Sequence, residues 1–191
     1  NFNIFFKNLN TVGKNTTEYK SSPQSELQSL LEINSELPLL KISERYNETL
    51  KPRISLKFNP GDMKNHSNDE REISVSNIFN SNRLSMNDSL EAGNSLTLGV
   101  EYEKENKNHK ENYLRFSVAS AFRDTEEENI SKQTSLNQKS SNVFGSLDLG
   151  LSKALNLDYK FAIDNNIQEF EYNSFGVNLS LNNFVTTFSF V

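Results

Sequence analysis

The chain has 191 residues, a formal net charge of -5 and no cysteine, which suits one domain or part of one and excludes disulfides, thiolate metal sites and cysteine nucleophiles. Only 35% of residues are hydrophobic and mean hydropathy is -0.65, too little to fill an ordinary globular core, yet 20 residues are Phe or Tyr. No stretch approaches the ~18 consecutive apolar residues of a membrane helix, and no basic stripe is present to neutralise nucleic-acid phosphates.

The chain opens Asn1-Phe2-Asn3, without an initiator Met or a charged-then-apolar signal region, and reads as a mature or interior piece of something longer. Phe2, Ile4 and Phe6 then alternate as a strand does. Residues 13–35 read as a long polar loop, although Leu27, Leu30, Leu31 and Asn34 share helical spacing within it. Residues 36–45 make a poor strand, and 46–49 a short connection. From Leu50 the alternation is regular: Leu50, Pro52, Ile54, Leu56 and Phe58 oppose Lys51, Arg53, Ser55 and Lys57. Pro52 cannot donate to a ladder, so this strand should start late, bulge, or go locally unpaired.

A second long polar segment spans 59–91. Beyond it, Leu96, Leu98, Val100 and Tyr102 oppose Thr97, Gly99, Glu101 and Glu103; Leu114, Phe116, Val118 and Phe122 oppose Arg115, Ser117, Ala119 and Arg123. A third long segment covers 124–141. Two strands follow around a tight 153–154 connection, with Leu147, Leu149, Leu151 and then Leu155, Leu157, Tyr159 and Phe161 on one face. Asp148, Asp158 and Lys160 fall on the other, and Asp164 follows in the same phase. Phe170 and Tyr172 run out of phase with Phe175, Val177 and Leu179, which predicts a bulge near Asn173-Ser174. Phe184, Phe188 and Phe190 close the chain after a short connection at 182–183.

About nine strands result, with the long connections at one end and short ones at the other. Strands of ~10 residues with one apolar and one charged face suit an all-β, antiparallel transmembrane β-barrel, of which residues 1–191 form part. Lipid then replaces the missing core, and Arg115, Arg123, Asp148, Asp158, Lys160 and Asp164 face a wet lumen. A soluble β-sandwich is the alternative, which would pack the apolar faces against each other.

Chemistry has few carriers. The seven glycines form neither GxGxxG nor a P-loop. Asp62, Asn65, Asn68, Asp69 and Glu70 lack EF-hand spacing and read as a solvated acidic loop, as does Glu126-Glu127-Glu128. The sequons at Asn15 and Asn47 are what an Asn- and Ser-rich chain supplies by chance. His66 and His109 sit in polar stretches, and His109 lies in a Lys/Asn-rich turn without an evident orienting partner. No catalytic residue, cofactor or metal is expected.

One stretch escapes strand periodicity. Asn77-Ile78-Phe79, Asn82-Arg83-Leu84-Ser85, Asp88, Glu91 and Gly93 lead into the strand Leu96-Thr97-Leu98-Gly99-Val100. This order resembles the LPS-assembly family of Gram-negative outer membranes (LptD, the OstA/Imp family), in which an Asn-[Leu/Ile]-Phe, Asn-Arg-Phe and Gly-x-Asp-Arg series precedes a strand. Leu50-Lys51-Pro52-Arg53-Ile54 and Asn142-Val143-Phe144-Gly145 are similar to neighbouring family strands, so the resemblance covers about residues 37–191. Met86 stands where the family has Gly, and Ser89 where it has a second Arg. The resemblance implies delivery of lipopolysaccharide to the outer leaflet, with an LptE-like lipoprotein plug and a periplasmic LPS-bridge protein as partners. A porin- or receptor-like outer-membrane channel is the alternative, for which 73–100 is an ordinary surface loop. Within that stretch, a charge-assisted pair between Arg83 and Asp88 is the expected internal tie.

Overall fold

The computed structural model describes residues 1–15, 20–181 and 184–190. Its strands are β1 (Phe2–Thr11), β2 (Gln24–Glu36), β3 (Leu39–Ile42), β4 (Tyr46–Asn59), β5 (Gly93–Asn106), β6 (Tyr113–Arg123), β7 (Val143–Gly150), β8 (Leu155–Ile163), β9 (Phe170–Leu181) and β10 (Phe184–Phe190). They form one antiparallel sheet in the order β1-β2-β4-β5-β6-β7-β8-β9-β10, with β3 paired to β4 off this path. The sheet is open, so β1 and β10 are its edges. Among the described residues no helix is long and apolar enough to cross a membrane.

Register lines like residues up across the strands. Ile54 lies opposite Leu98, Leu96 opposite Phe122, Phe116 opposite Leu147, Leu149 opposite Leu157, and Tyr159 opposite Phe175. This face is the open one: Ile33, Leu56, Phe58, Leu98, Phe175 and Phe188 are all exposed. On the reverse face Glu32, Ser55, Lys57, Asn59, Ser95, Thr97 and Arg123 are buried. Water-soluble domains arrange these residue types the other way round. The sheet is inverted.

Two connections cover the polar face. Residues 60–92 and 124–142 fold back over it and supply Ile78, Leu84, Met86, Ile130 and Leu136, which meet Ala119, Ala121, Phe144 and Ala162 of the strands in a small apolar cluster. Apart from Phe144, the strand side of this contact is built from alanines, which let loop side chains come close. Gly99 is the tightest case that matters: a Cβ there would stand 2.8 Å from Phe79 Cζ and 2.9 Å from the Val118 carbonyl oxygen. Arg53 stacks over the same Phe79 ring, 4.2 Å from its centroid, a favourable cation–π placement.

The structure differs from the sequence reading in four places. Most of the expected 13–35 loop is strand: β2 begins at Gln24. Leu27, Leu31 and Ile33 point outward, whereas Leu30 is buried under the loops; apolar residues on both faces had erased the period of two. The strand expected from Leu50 starts earlier, at Tyr46, and absorbs the 46–49 connection. The bulge lies at Glu171, between the pairs Ala162↔Tyr172 and Ile163↔Phe170, rather than at Asn173-Ser174. The strand count is ten instead of nine, because β2 was unread. The 182–183 connection, and Thr16-Thr17 of the first sequon, fall outside the described residues.

Of the three expectations for Pro52, the local loss of pairing is the one the structure shows, and only on one side of the strand. Strand β4 runs through it, and Pro52 pairs opposite Val100 of β5. Its carbonyl accepts from the Leu37 amide at 3.1 Å on the β2/β3 side. Within a strand a residue's N–H and C=O point to the same side, so the missing donor also faces β2 and β3. There the partner strand is interrupted: β2 ends with Glu36 opposite Arg53, and β3 resumes with Leu39 opposite Leu50. Only the ladder that would have needed the Pro52 N–H is broken.

Gly99→Ala should destabilise the protein by roughly 1–3 kcal/mol, because a backbone carbonyl and the Phe79 ring must both yield to the new methyl. Urea unfolding in detergent checks this; an unchanged midpoint would show that Phe79 is not seated on the strand.

Candidate functional site

The polar face concentrates its buried charge in one line. Register sets Glu32 of β2 beside Lys57 of β4, Lys57 beside Ser95 of β5, and Ser95 beside Arg123 of β6. In the next row Ser55 lies beside Thr97. Onto this line the 60–92 connection lowers Arg83 and Glu91. Arg83 donates through Nε and Nη2 to the two Glu91 carboxylate oxygens at 2.8 and 2.5 Å, to Thr97 Oγ1 at 2.8 Å and to Ser95 Oγ at 3.0 Å. This is the bidentate fork that guanidinium and carboxylate favour. Arg123 adds a second cation, donating to Glu91 Oε1 at 2.7 Å and to the Ala92 carbonyl.

Lys57 completes the set by donating to the carbonyl oxygens of Asn80 at 2.6 Å and Ser81 at 3.3 Å. The Ser81 hydroxyl donates to Glu32 Oε2 at 2.6 Å. Three cations and two carboxylates thus share a site sealed from water, where Arg83, Arg123 and Glu91 side chains are at most 4% exposed. Burial alone would push the Glu91 carboxyl up. The Arg83 charge and hydrogen bonds, with Lys57 and Arg123, hold it instead at about 2. Gly93, just past this carboxylate, has φ of +79°, and a Cβ there would stand 2.9 Å from an Arg123 terminal nitrogen; glycine makes the sharp entry into β5 without strain.

Arg83 is therefore internally paired, but its carboxylate is Glu91, eight residues on, and not Asp88. Asp88 belongs to a second cluster in the same connection. There His66 Nδ1 faces Asp69 Oδ2 at 2.8 Å and His66 Nε2 faces Asp88 Oδ1 at 3.0 Å. Arg71 donates to Asp69 at 2.6 Å, and Lys64 lies 4.0 Å from Asp88. Hydrogen bonds from His66 and Arg71 hold the Asp69 carboxyl below its ordinary range. A polar cleft of about 630 Å³ is lined by this cluster together with Lys20 and Glu26.

The remaining charged residues fall elsewhere. Arg115, Asp148, Asp158 and Lys160 all share the polar face, in the rows nearer the short-connection end. Arg115 lies beside Asp148 and donates to Glu103 at 2.7 Å; Asp148 lies beside Asp158, and Lys160 beside Ser146. Asp164 is not in a strand at all. It opens the turn after β8, where its carboxylate accepts from the Gln168 and Glu169 amides at 2.6 and 3.1 Å, and these bonds hold it below its ordinary range. Its even numbering continued the β8 pattern one residue past the strand's end.

Glu32, Lys57, Ser95 and Thr97 were not singled out from sequence. Their signal was available only as polar residues of period two, which a water-filled face would explain equally. Of the two family departures, Ser89 is fully buried and its hydroxyl accepts from the Lys64 amide at 3.1 Å. Met86 is buried in the apolar cluster, and the turn before it is closed by Asn82, whose side chain bonds the Met86 amide and carbonyl at 2.9 and 3.0 Å while Ser85 takes φ of 50°. Among the described residues no group of three or more His, Asp or Glu is placed to hold a metal ion. The arrangement holds a loop to a sheet by buried ion pairs.

An antiparallel sheet with apolar side chains outward and charge sealed inward, its long connections packed on the charged side, is the architecture of a protein partnered by something other than water. Residues 5–190 match the family model described as LptD: LPS transport system D, and the chain belongs to that family. The match reaches back through β1 and β2, which the motif resemblance left aside. No curated protein matches the chain.

Glu91→Gln leaves Arg83, Arg123 and Lys57 facing an uncharged amide and should cost about 3–5 kcal/mol; a chemical-denaturation series on the variant measures it. In the wild type the Glu91 carboxyl titrates near 2 in the folded protein against an ordinary 4.5. A depressed carboxyl stabilises above its unfolded value and loses that stabilisation as pH falls through the folded one. Protease sensitivity of the 60–92 connection should accordingly rise between about pH 4.5 and 2. A flat profile across that window would remove Glu91 from the account.

Proposed function

We propose that this chain is part of an outer-membrane β-barrel that assembles lipopolysaccharide into the outer leaflet. The observation that carries this reading is the inverted sheet, since lipid is the solvent in which outward Leu98, Phe116 and Phe175 and inward Lys57, Glu91 and Arg123 are each correctly placed. Within lipid the β1 and β10 edges must each find a strand partner, because backbone groups left open there cost several kcal/mol each. Arg115, Asp148, Asp158 and Lys160 would then line the lumen. On this reading the partners are lipopolysaccharide, membrane lipid, an LptE-like lipoprotein plug and a periplasmic bridge protein. The chain's own residues offer binding and guidance, with no covalent step.

Depleting the full-length protein in its host should lower surface lipopolysaccharide and leave unexported material behind, read by surface labelling. Normal surface levels after depletion would sink the proposal and favour a passive channel. Facing is tested separately in the full-length protein. Leu98→Arg should impair membrane assembly by ~2–4 kcal/mol if that position sits near the bilayer midplane, while Ser117→Arg, beside Glu101 on the polar face, should assemble normally. Equal behaviour of the two variants would refute the assignment of lipid to the apolar face.

A further inference from the structure

The 60–92 connection has no strand or helix of its own, yet it is tied by side chains from five strands. Lys7 of β1 donates to the carbonyl oxygens of Ser89 at 2.9 Å and Met86 at 3.3 Å. Gln28 of β2 accepts from the Leu90 amide at 2.7 Å, and Glu32 of the same strand accepts from Ser81. Lys57 and Asn59 of β4 donate to carbonyl oxygens of Asn80 and Glu91 at 2.6 and 2.9 Å. Ser95 and Thr97 of β5 accept from Arg83, and Arg123 of β6 donates to Glu91. Apart from Lys7, each of these strand residues is buried.

We infer that this connection is a fixed cross-brace, which holds β1, β2, β4, β5 and β6 as one rigid plate and does not swing aside as a gate. Lifting it would strip the side chains of Lys57 and Arg123 of their partners at once and leave Glu32 with Asn3 alone, and a buried charge deprived of its partner is costly. The ties also share members, since Glu91 joins β4, β5 and β6 through its backbone, Arg83 and Arg123, so that loosening one loosens the rest. Among the described residues the polar faces of β8, β9 and β10 have no comparable side-chain ties from it. Strand movement during passage of a substrate is thereby confined to β7–β10. This inference concerns the loop's mobility and holds whichever molecule is transported.

Hydrogen exchange on the full-length protein in lipid tests it. Amides of residues 78–92 should exchange at least a hundredfold more slowly than those of an open loop, close to the rates of β4 and β5. In Glu91→Gln, exchange should quicken together in β2, β4, β5 and β6, while β8 and β9 stay unchanged. If that variant does not fold, Lys7→Met should quicken only β1 and residues 86–90. Open-loop exchange rates for 78–92 in the wild type, or faster exchange confined to the loop in Glu91→Gln, would overturn the brace.

Discussion

A single carboxylate, Glu91, sets the terms for the interior of this protein. Three cations from the loop and two strands converge around it, and none of them could be buried without it. Charge of this kind is affordable in a protein interior only when the geometry is fixed, because a flexible network leaves some member unpaired for part of the time. The row Glu32, Lys57, Ser95 and Arg123 provides that fixity, being set by the ladder itself. The loop in turn makes a charged strand face compatible with exclusion of water.

The two sides of the sheet therefore obey different solvents. Outward, rows of Leu, Ile and Phe are arranged by simple alternation and need no specific partner. Inward, Glu32, Lys57, Asn59, Ser95, Thr97 and Arg123 each have particular partners, and glycine and alanine at 99, 119 and 121 make room for them. A low overall hydropathy follows directly. A sheet one residue thick has no second apolar layer to fill, and its inner volume is occupied by a loop rich in Asn and Ser whose backbone needs polar partners.

Alternation made most of the strands legible. From Ile54 onward the two faces differ sharply enough that period and register could be read together. β2 escaped because Leu30 and Leu31 put apolar groups on both faces, one under the loop and one outside, which imitates helical spacing. Asp164 was misplaced for the opposite reason, since the alternation continued past the strand into a turn that needs an acceptor. The partner of Arg83 was illegible in principle. Asp88 and Glu91 are both within reach along the chain, and what separates them is which one the fold lowers onto β5 and β6; His66, read only as a histidine in a polar stretch, stands between two carboxylates.

The interruption opposite Pro52 gives the sheet a crease. Along one side of β4, hydrogen bonding passes from β2 to β3 across a gap of two residues, Leu37 and Pro38, with proline on both sides of the gap. The stretch of β4 above the crease, from Arg53 on, carries the residues sealed beneath the loop; the stretch below it borders β3, whose four residues are all exposed. Twist on the two sides of the crease need not match, as no continuous ladder transmits it along that seam. One strand can thus belong to a stiff upper sheet and to a more compliant lower margin, with the change of stiffness placed by a residue that lacks a single hydrogen.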